Sequence, residues 1–87
     1  MANAHELKRA VDLAISGDWD GAHAIAQSDE RDPLHRWLHA VLHKIEGDGF
    51  NSRYWYRGSG HAYEDFASTD IELKAIRDAL QDPPSDN

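Results

Sequence analysis

The sequence predicts an all-α domain built from two helical hairpins and a C-terminal capping helix. Two observations carry that expectation. Apolar residues recur at helical spacing between clear capping signals, and the chain repeats itself at an offset of thirty residues. At that offset His5, Ala10, Val11, Ile15, Gly17 and Asp18 fall on His35, Ala40, Val41, Ile45, Gly47 and Asp48, six identities without a gap. Units of about 3–31 and 33–60 follow, each a helix, a Gly-Asp turn and a second helix, stacked as helical repeats stack.

The elements can be justified in order. Asn3 with Glu6 forms a capping-box start, and Leu7, Ala10, Val11 and Ala14 then mark one helical face. Gly17 suits the left-handed conformation that ends a helix, and Asp18 can cap the next one, about Trp19 to Gln27. Asp32-Pro33 opens the third helix with a side-chain acceptor and a proline at its first position. Its stripe of Leu34, Trp37, Leu38, Val41, Leu42 and Ile45 is the cleanest in the chain. Ile15 and Ile45 are expected to be equivalent buried residues just before their turns. Gly47-Asp48-Gly49 separates this helix from a fourth, about Asn51 to Arg57, which Gly58-Ser59-Gly60 ends. Thr69 with Glu72 reads as a second capping box, opening a last helix to about 81. Its wide apolar arc, from Ile71 to Leu80, should dock into a groove between other helices, covering the exposed end of the stack. Asp70, Glu72 and Asp78 read as its solvated face. Asp82-Pro83-Pro84 stops it.

Size and composition set the frame for function. Eighty-seven residues leave room for one helical domain, 1–82, with 83–87 as a flexible tail. With no cysteine, thiolate metal sites and cysteine nucleophiles are excluded. No apolar run reaches the roughly 20 residues of a membrane span. The N-terminus lacks the basic and apolar regions of a signal peptide, so a cytoplasmic location is expected. A net charge of −7 disfavours nucleic acid and anionic membrane as partners. That charge is uneven: residues 1–32 carry −4, residues 33–61 carry +2 and residues 62–87 carry −5. The middle segment also holds four of the six histidines and two of the three tryptophans, so a site is expected there.

The run Asn51-Ser52-Arg53-Tyr54-Trp55-Tyr56-Arg57-Gly58-Ser59-Gly60 resembles the Ala-x-x-Trp-Tyr-Arg-Lys-Ala-Ala helix of Sel-type repeats, relatives of the tetratricopeptide hairpins. The resemblance implies a helical hairpin of the kind that mostly binds other proteins, with Ser52, Tyr56 and Ser59 at its small, aromatic and small packing positions. The chain departs from that family in its 30-residue unit and in serines where alanines are usual. Residues 38–60 are also similar to small uncharacterised proteins sharing a Glu-Gly-Asp and Tyr-Trp-Tyr pattern, a likeness that transfers no activity.

Two clusters could carry chemistry. His35, His39, His43 and Glu46 share one flank of the third helix, within about 80° of arc at 100° per residue. The i, i+4, i+7 spacing of His39, His43 and Glu46 can surround a divalent metal with two imidazoles and a carboxylate. The alternative is a solvated or carboxylate-paired flank. Arg53-Tyr54-Trp55-Tyr56-Arg57 is the second cluster. Three adjacent aromatics cannot all face the core, so Trp55 and Tyr56 should pack while Tyr54 stands exposed near Arg57. Arg53 and Arg57 could hold a partner's carboxylate or phosphate, or pair with the acidic ends of the chain. Asp18 and Asp48 read as helix caps rather than catalytic acids.

The expected function is therefore a noncatalytic helical-hairpin module that binds a protein or a small anionic ligand, through His39, His43, Arg53, Tyr54 and Arg57, without a cofactor. Self-association as a homodimer is expected through the open end of the stack. The alternative is a metal-dependent protein or enzyme using His39, His43 and Glu46. Imidazoles titrating near neutrality would make an anionic ligand bind more tightly at pH 6 than at pH 8.

Overall fold

The computed structural model describes residues 4–80. Among them lie five α-helices, α1 (Ala4–Ser16), α2 (Trp19–Ala26), α3 (Pro33–Ile45), α4 (Gly49–Tyr56) and α5 (Thr69–Leu80), with two short 3-10 turns and no strand. None of these helices is long and apolar enough to cross a membrane. The proposed Asn3 cap and the tail 83–87 lie outside the described residues.

The two Gly-Asp turns form as the sequence dictates. Gly17 and Gly47 take φ of 97° and 85°, where a side chain would be strained. The Asp18 carboxylate accepts from the Gly21 amide, and that of Asp48 accepts from the Asn51 amide. Asp32 caps α3 by accepting from the His35 amide, with Pro33 behind it. At α5 the cap is one residue earlier than expected. The Ser68 hydroxyl, not Thr69, accepts from the Ile71 amide, 3.3 Å away. Glu72 is thereby free of any capping duty.

α1 packs against α2 and α3 against α4, and α2 lies beside α3. α5 packs along α1 and α3, so it closes the groove between the hairpins rather than the far side of α4. This leaves α3 in contact with all four other helices. A helix so enclosed is buried over most of its circumference. Trp37, Leu38, Ala40, Val41 and Leu42 are core residues, and His35 and His39 are buried with them, each 2% exposed. Leu7, Ala10 and Val11 of α1, Ala22 and Ala26 of α2, Tyr56 of α4 and Leu73, Ile76 and Leu80 of α5 complete the core.

Several sequence expectations are corrected here. Ile15 and Ile45 are both exposed, at 44% and 42%, rather than buried before their turns. Ile71 is likewise exposed, so the buried arc of α5 is narrower than its apolar residues suggest. Glu72 is not on a solvated face. It is fully buried, its Oε2 accepting from Trp37 Nε1 at 2.9 Å and Tyr56 OH at 2.6 Å, its Oε1 from Lys44 Nζ at 2.9 Å. Lys44 Nζ also donates to the carbonyls of Tyr63 and Phe66, which pins the 57–68 connection onto α3. Ser52 is buried with its hydroxyl on the Ala40 carbonyl at 2.7 Å, which lets α4 approach α3 closely.

Candidate functional site

The residues singled out from sequence separate into two places, the exposed side of α4 and a histidine cluster that packs on the Trp55 ring. On the outer face lie Arg53, Tyr54 and Arg57, together with Phe50, which sequence reasoning passed over. At i, i+3, i+4 and i+7 these four share one side of α4 and line a shallow depression of about 350 Å³. Phe50 is 85% exposed and Tyr54 49% exposed. The Arg53 guanidinium pairs with Glu64 at 2.7 Å and lies over the Tyr63 ring, so one arginine does bridge to the acidic end segment. Arg57 forms no ion pair among the described residues. Its carbonyl instead accepts from Arg36 Nε, whose guanidinium lies 4.9 Å above the Trp55 ring and 5.8 Å from that of Tyr54. Arg36 is thus a further cation at this face that periodicity alone did not reveal.

Beneath Trp55 the histidine flank is enclosed. The His39 ring stacks on Trp55 with centroids 3.9 Å apart, so it lies in the core and not at the solvated edge. α2 covers the remaining side: His39 Nε2 is 3.1 Å from His23 Nε2, and the His23 ring stacks on Trp19. His43 stands 5.0 Å from His39 and 5.4 Å from His23, centroid to centroid. The three imidazoles bring one ring nitrogen each to within 4.8 Å of one another. His23 was missed because it belongs to the other hairpin. Its position one turn after Trp19 in α2 was the available signal.

Glu46 is engaged elsewhere. Its Oε2 is 2.7 Å from His43 Nδ1, and with Asp48 the two make a second group that shares His43 with the first. The structure therefore brings His39 to His43 and His43 to Glu46, with His23 completing the buried group. His35 stands apart, its Nδ1 2.8 Å from Asp32 Oδ2.

Burial dominates the electrostatics of the imidazole cluster. It holds His39 down to about 3, with the charges of His23, His43 and Arg36 acting in the same direction. His23 is lowered as well, by burial and then by His43, against the opposing pull of Glu46 and Asp20. His39 is therefore neutral at pH 6 and at pH 8 and brings no pH-dependent charge of its own to the neighbouring face. Comparison with known proteins returns no matching family model, curated protein or solved structure.

Proposed function

We propose that the chain is a noncatalytic module of two helical hairpins, akin to tetratricopeptide repeats, whose outer α4 face binds an acidic, apolar-containing segment of a partner protein. The observation that carries this reading is Phe50, 85% exposed on a face it shares with Tyr54, Arg53 and Arg57. A large apolar residue left in water beside unpaired cationic charge suits an anchor surrounded by a charge-complementary rim. Arg57 and Arg36 supply that charge on the segment that is net +2 within an acidic chain.

The hairpin reading rests on equivalences between 4–26 and 33–56. Each pairs a helix of 13 residues with one of 8, joined by turns of matching dihedral angles. Ala10 and Ala40, Val11 and Val41, and Ala22 and Ser52 are fully buried in pairs, while Ile15 and Ile45 are exposed in a pair. The burial of Ser52, Tyr56 and Ser59 agrees with the packing positions implied by the Sel-type resemblance.

Selection of displayed peptides on the wild-type chain tests the proposal. Recovered binders should be rich in Asp and Glu around an apolar residue, and should lose at least tenfold affinity for Phe50→Ser and Arg57→Glu. Binders of neutral or basic composition, or binding unchanged in both variants, would overturn it. So would light scattering that reveals a dimer dissolved by Phe50→Ser, since this face would then belong to a second copy of the chain.

A further inference from the structure

The geometry points to a divalent transition-metal site formed by His23, His39 and His43, with Glu46 orienting one of its imidazoles. It is independent of the α4 face and differs in its ligands from the set that helical spacing suggests.

The nitrogen spacing is the first argument. Two ligands at 2.0–2.1 Å from a tetrahedral ion lie about 3.3 Å apart. The Nε2 atoms of His23 and His39 are already 3.1 Å apart, and His43 keeps a ring nitrogen within 4.8 Å of both. The half-buried His43 ring must turn its donor nitrogen inward to complete the set.

The second argument is orientation. A ligating imidazole characteristically gives its other ring nitrogen to a carboxylate, which fixes the tautomer and strengthens the donor. His43 does this through Nδ1 and Glu46 Oε2 at 2.7 Å, leaving Nε2 as its available donor. His39 is held by its stack on Trp55, and His23 by its stack on Trp19. The buried His39 Nδ1 has no hydrogen-bond partner among the described residues, so no competing bond anchors that ring in another direction.

Charge and chemistry complete the argument. A neutral imidazole is the form that donates to a metal, and burial disfavours the charged form of His39 and His23. Glu46, Asp20 and Asp48 supply negative charge around them, and Arg36 opposes it. Three imidazole donors without thiolate select zinc, nickel or copper over magnesium or calcium. Coordination needs Nε2 bare on both His23 and His39, so the ring carrying the proton between them moves it to its own Nδ1. No redox step is involved. Because His23 comes from α2 and the other two from α3, the ion would clamp one hairpin to the other.

Calorimetry on the untagged chain, stripped with chelator and titrated with zinc chloride, reads the site directly. One equivalent should bind, magnesium chloride should not, and the unfolding temperature should rise with zinc. His23→Gln and His43→Gln should each weaken binding at least tenfold while the helical circular dichroism is retained. Glu46→Gln should weaken it by about tenfold to a hundredfold. His5→Gln and His61→Gln should bind as wild type does. Because His39 is buried and its variants risk unfolding, the half-buried His23 and His43 carry the decision. Absence of a one-to-one zinc complex, or undiminished binding in the His23→Gln/His43→Gln double variant, would overturn the assignment.

Discussion

Lys44 Nζ lies 2.9 Å from Glu72 Oε1, joining the end of α3 to the first turn of α5 inside the protein. Every polar atom of the pair is engaged. Lys44 also reaches the Tyr56 hydroxyl and two carbonyls, and Glu72 receives Trp37 and Tyr56. Burial and then the bond to Glu72 push the Tyr56 phenol well above its ordinary range, so it stays protonated as a donor around neutral pH. A buried pair of this kind is costly to break from one side, although its net contribution over an apolar substitute is small.

Glu72→Ala should therefore cost about 3–5 kcal/mol, because it leaves the Lys44 ammonium buried without its counter-charge. Lys44→Met combined with Glu72→Leu should recover only part of that loss, since Trp37 Nε1, the Tyr56 hydroxyl and the Tyr63 and Phe66 carbonyls lose their partners. Urea unfolding of Lys44→Met, Glu72→Leu and their double variant measures the coupling.

Position along α3 decides the cost of truncation. Leu42→Ala removes a fully buried side chain and should cost about 2–5 kcal/mol. Ile45→Ala, three residues on but 42% exposed, should change stability by about 0.5 kcal/mol. Equal losses would contradict the described packing.

The two sides of α4 should respond in opposite ways. Phe50→Ser should leave thermal unfolding nearly unchanged, since the ring is 85% exposed. Ser52→Leu forces volume into the α3–α4 contact and breaks the bond to the Ala40 carbonyl, for a loss of about 1–3 kcal/mol. Differential scanning calorimetry distinguishes them.

Acid should destabilise the metal-free protein in two windows. An unfolded imidazole takes its proton near 6.5, whereas folded His39 resists until about 3. The unfolded state binds more protons between those values, so stability falls as pH drops from 6.5 towards 3. His39→Phe, which can keep the stack on Trp55, should flatten that slope in denaturation series with chelator present. Asp32 acts lower. Burial raises its carboxyl, but the bonds from His35 outweigh burial and lower it overall. Its contribution is present above 3.8 and lost as pH falls through its depressed value, and Asp32→Ala should remove it.

The local devices of the fold were legible in the sequence because they act over four residues or fewer. Gly17-Asp18, Asp32-Pro33 and Gly47-Asp48 each mark a boundary that the structure places within two residues of expectation. The docking of α5 in a groove was legible from its apolar arc. What escaped were contacts between elements. Glu72 reads as a surface carboxylate until Lys44, twenty-eight residues upstream, is beside it. His39 and His43 were visible on one flank of α3. His23 was not, because helical spacing says nothing about which side chain the next hairpin supplies. Phe50 and Ile45 show the same limit from the other side, since an apolar residue becomes a surface residue only when no neighbour arrives.

The long sequence separation of Lys44 and Glu72 has a consequence for the order in which the chain matures during synthesis. Translation at about 5–20 residues per second puts a few seconds between the two residues. Throughout that interval the nascent hairpins have no α5, so the groove between α1 and α3 stays open and the Lys44 ammonium remains hydrated. Trp37, whose Nε1 donates to Glu72 in the finished fold, has no such partner until then. Completion of the last helix supplies the apolar cover and the counter-charge together, which makes the final dozen described residues a quality check on everything made before them.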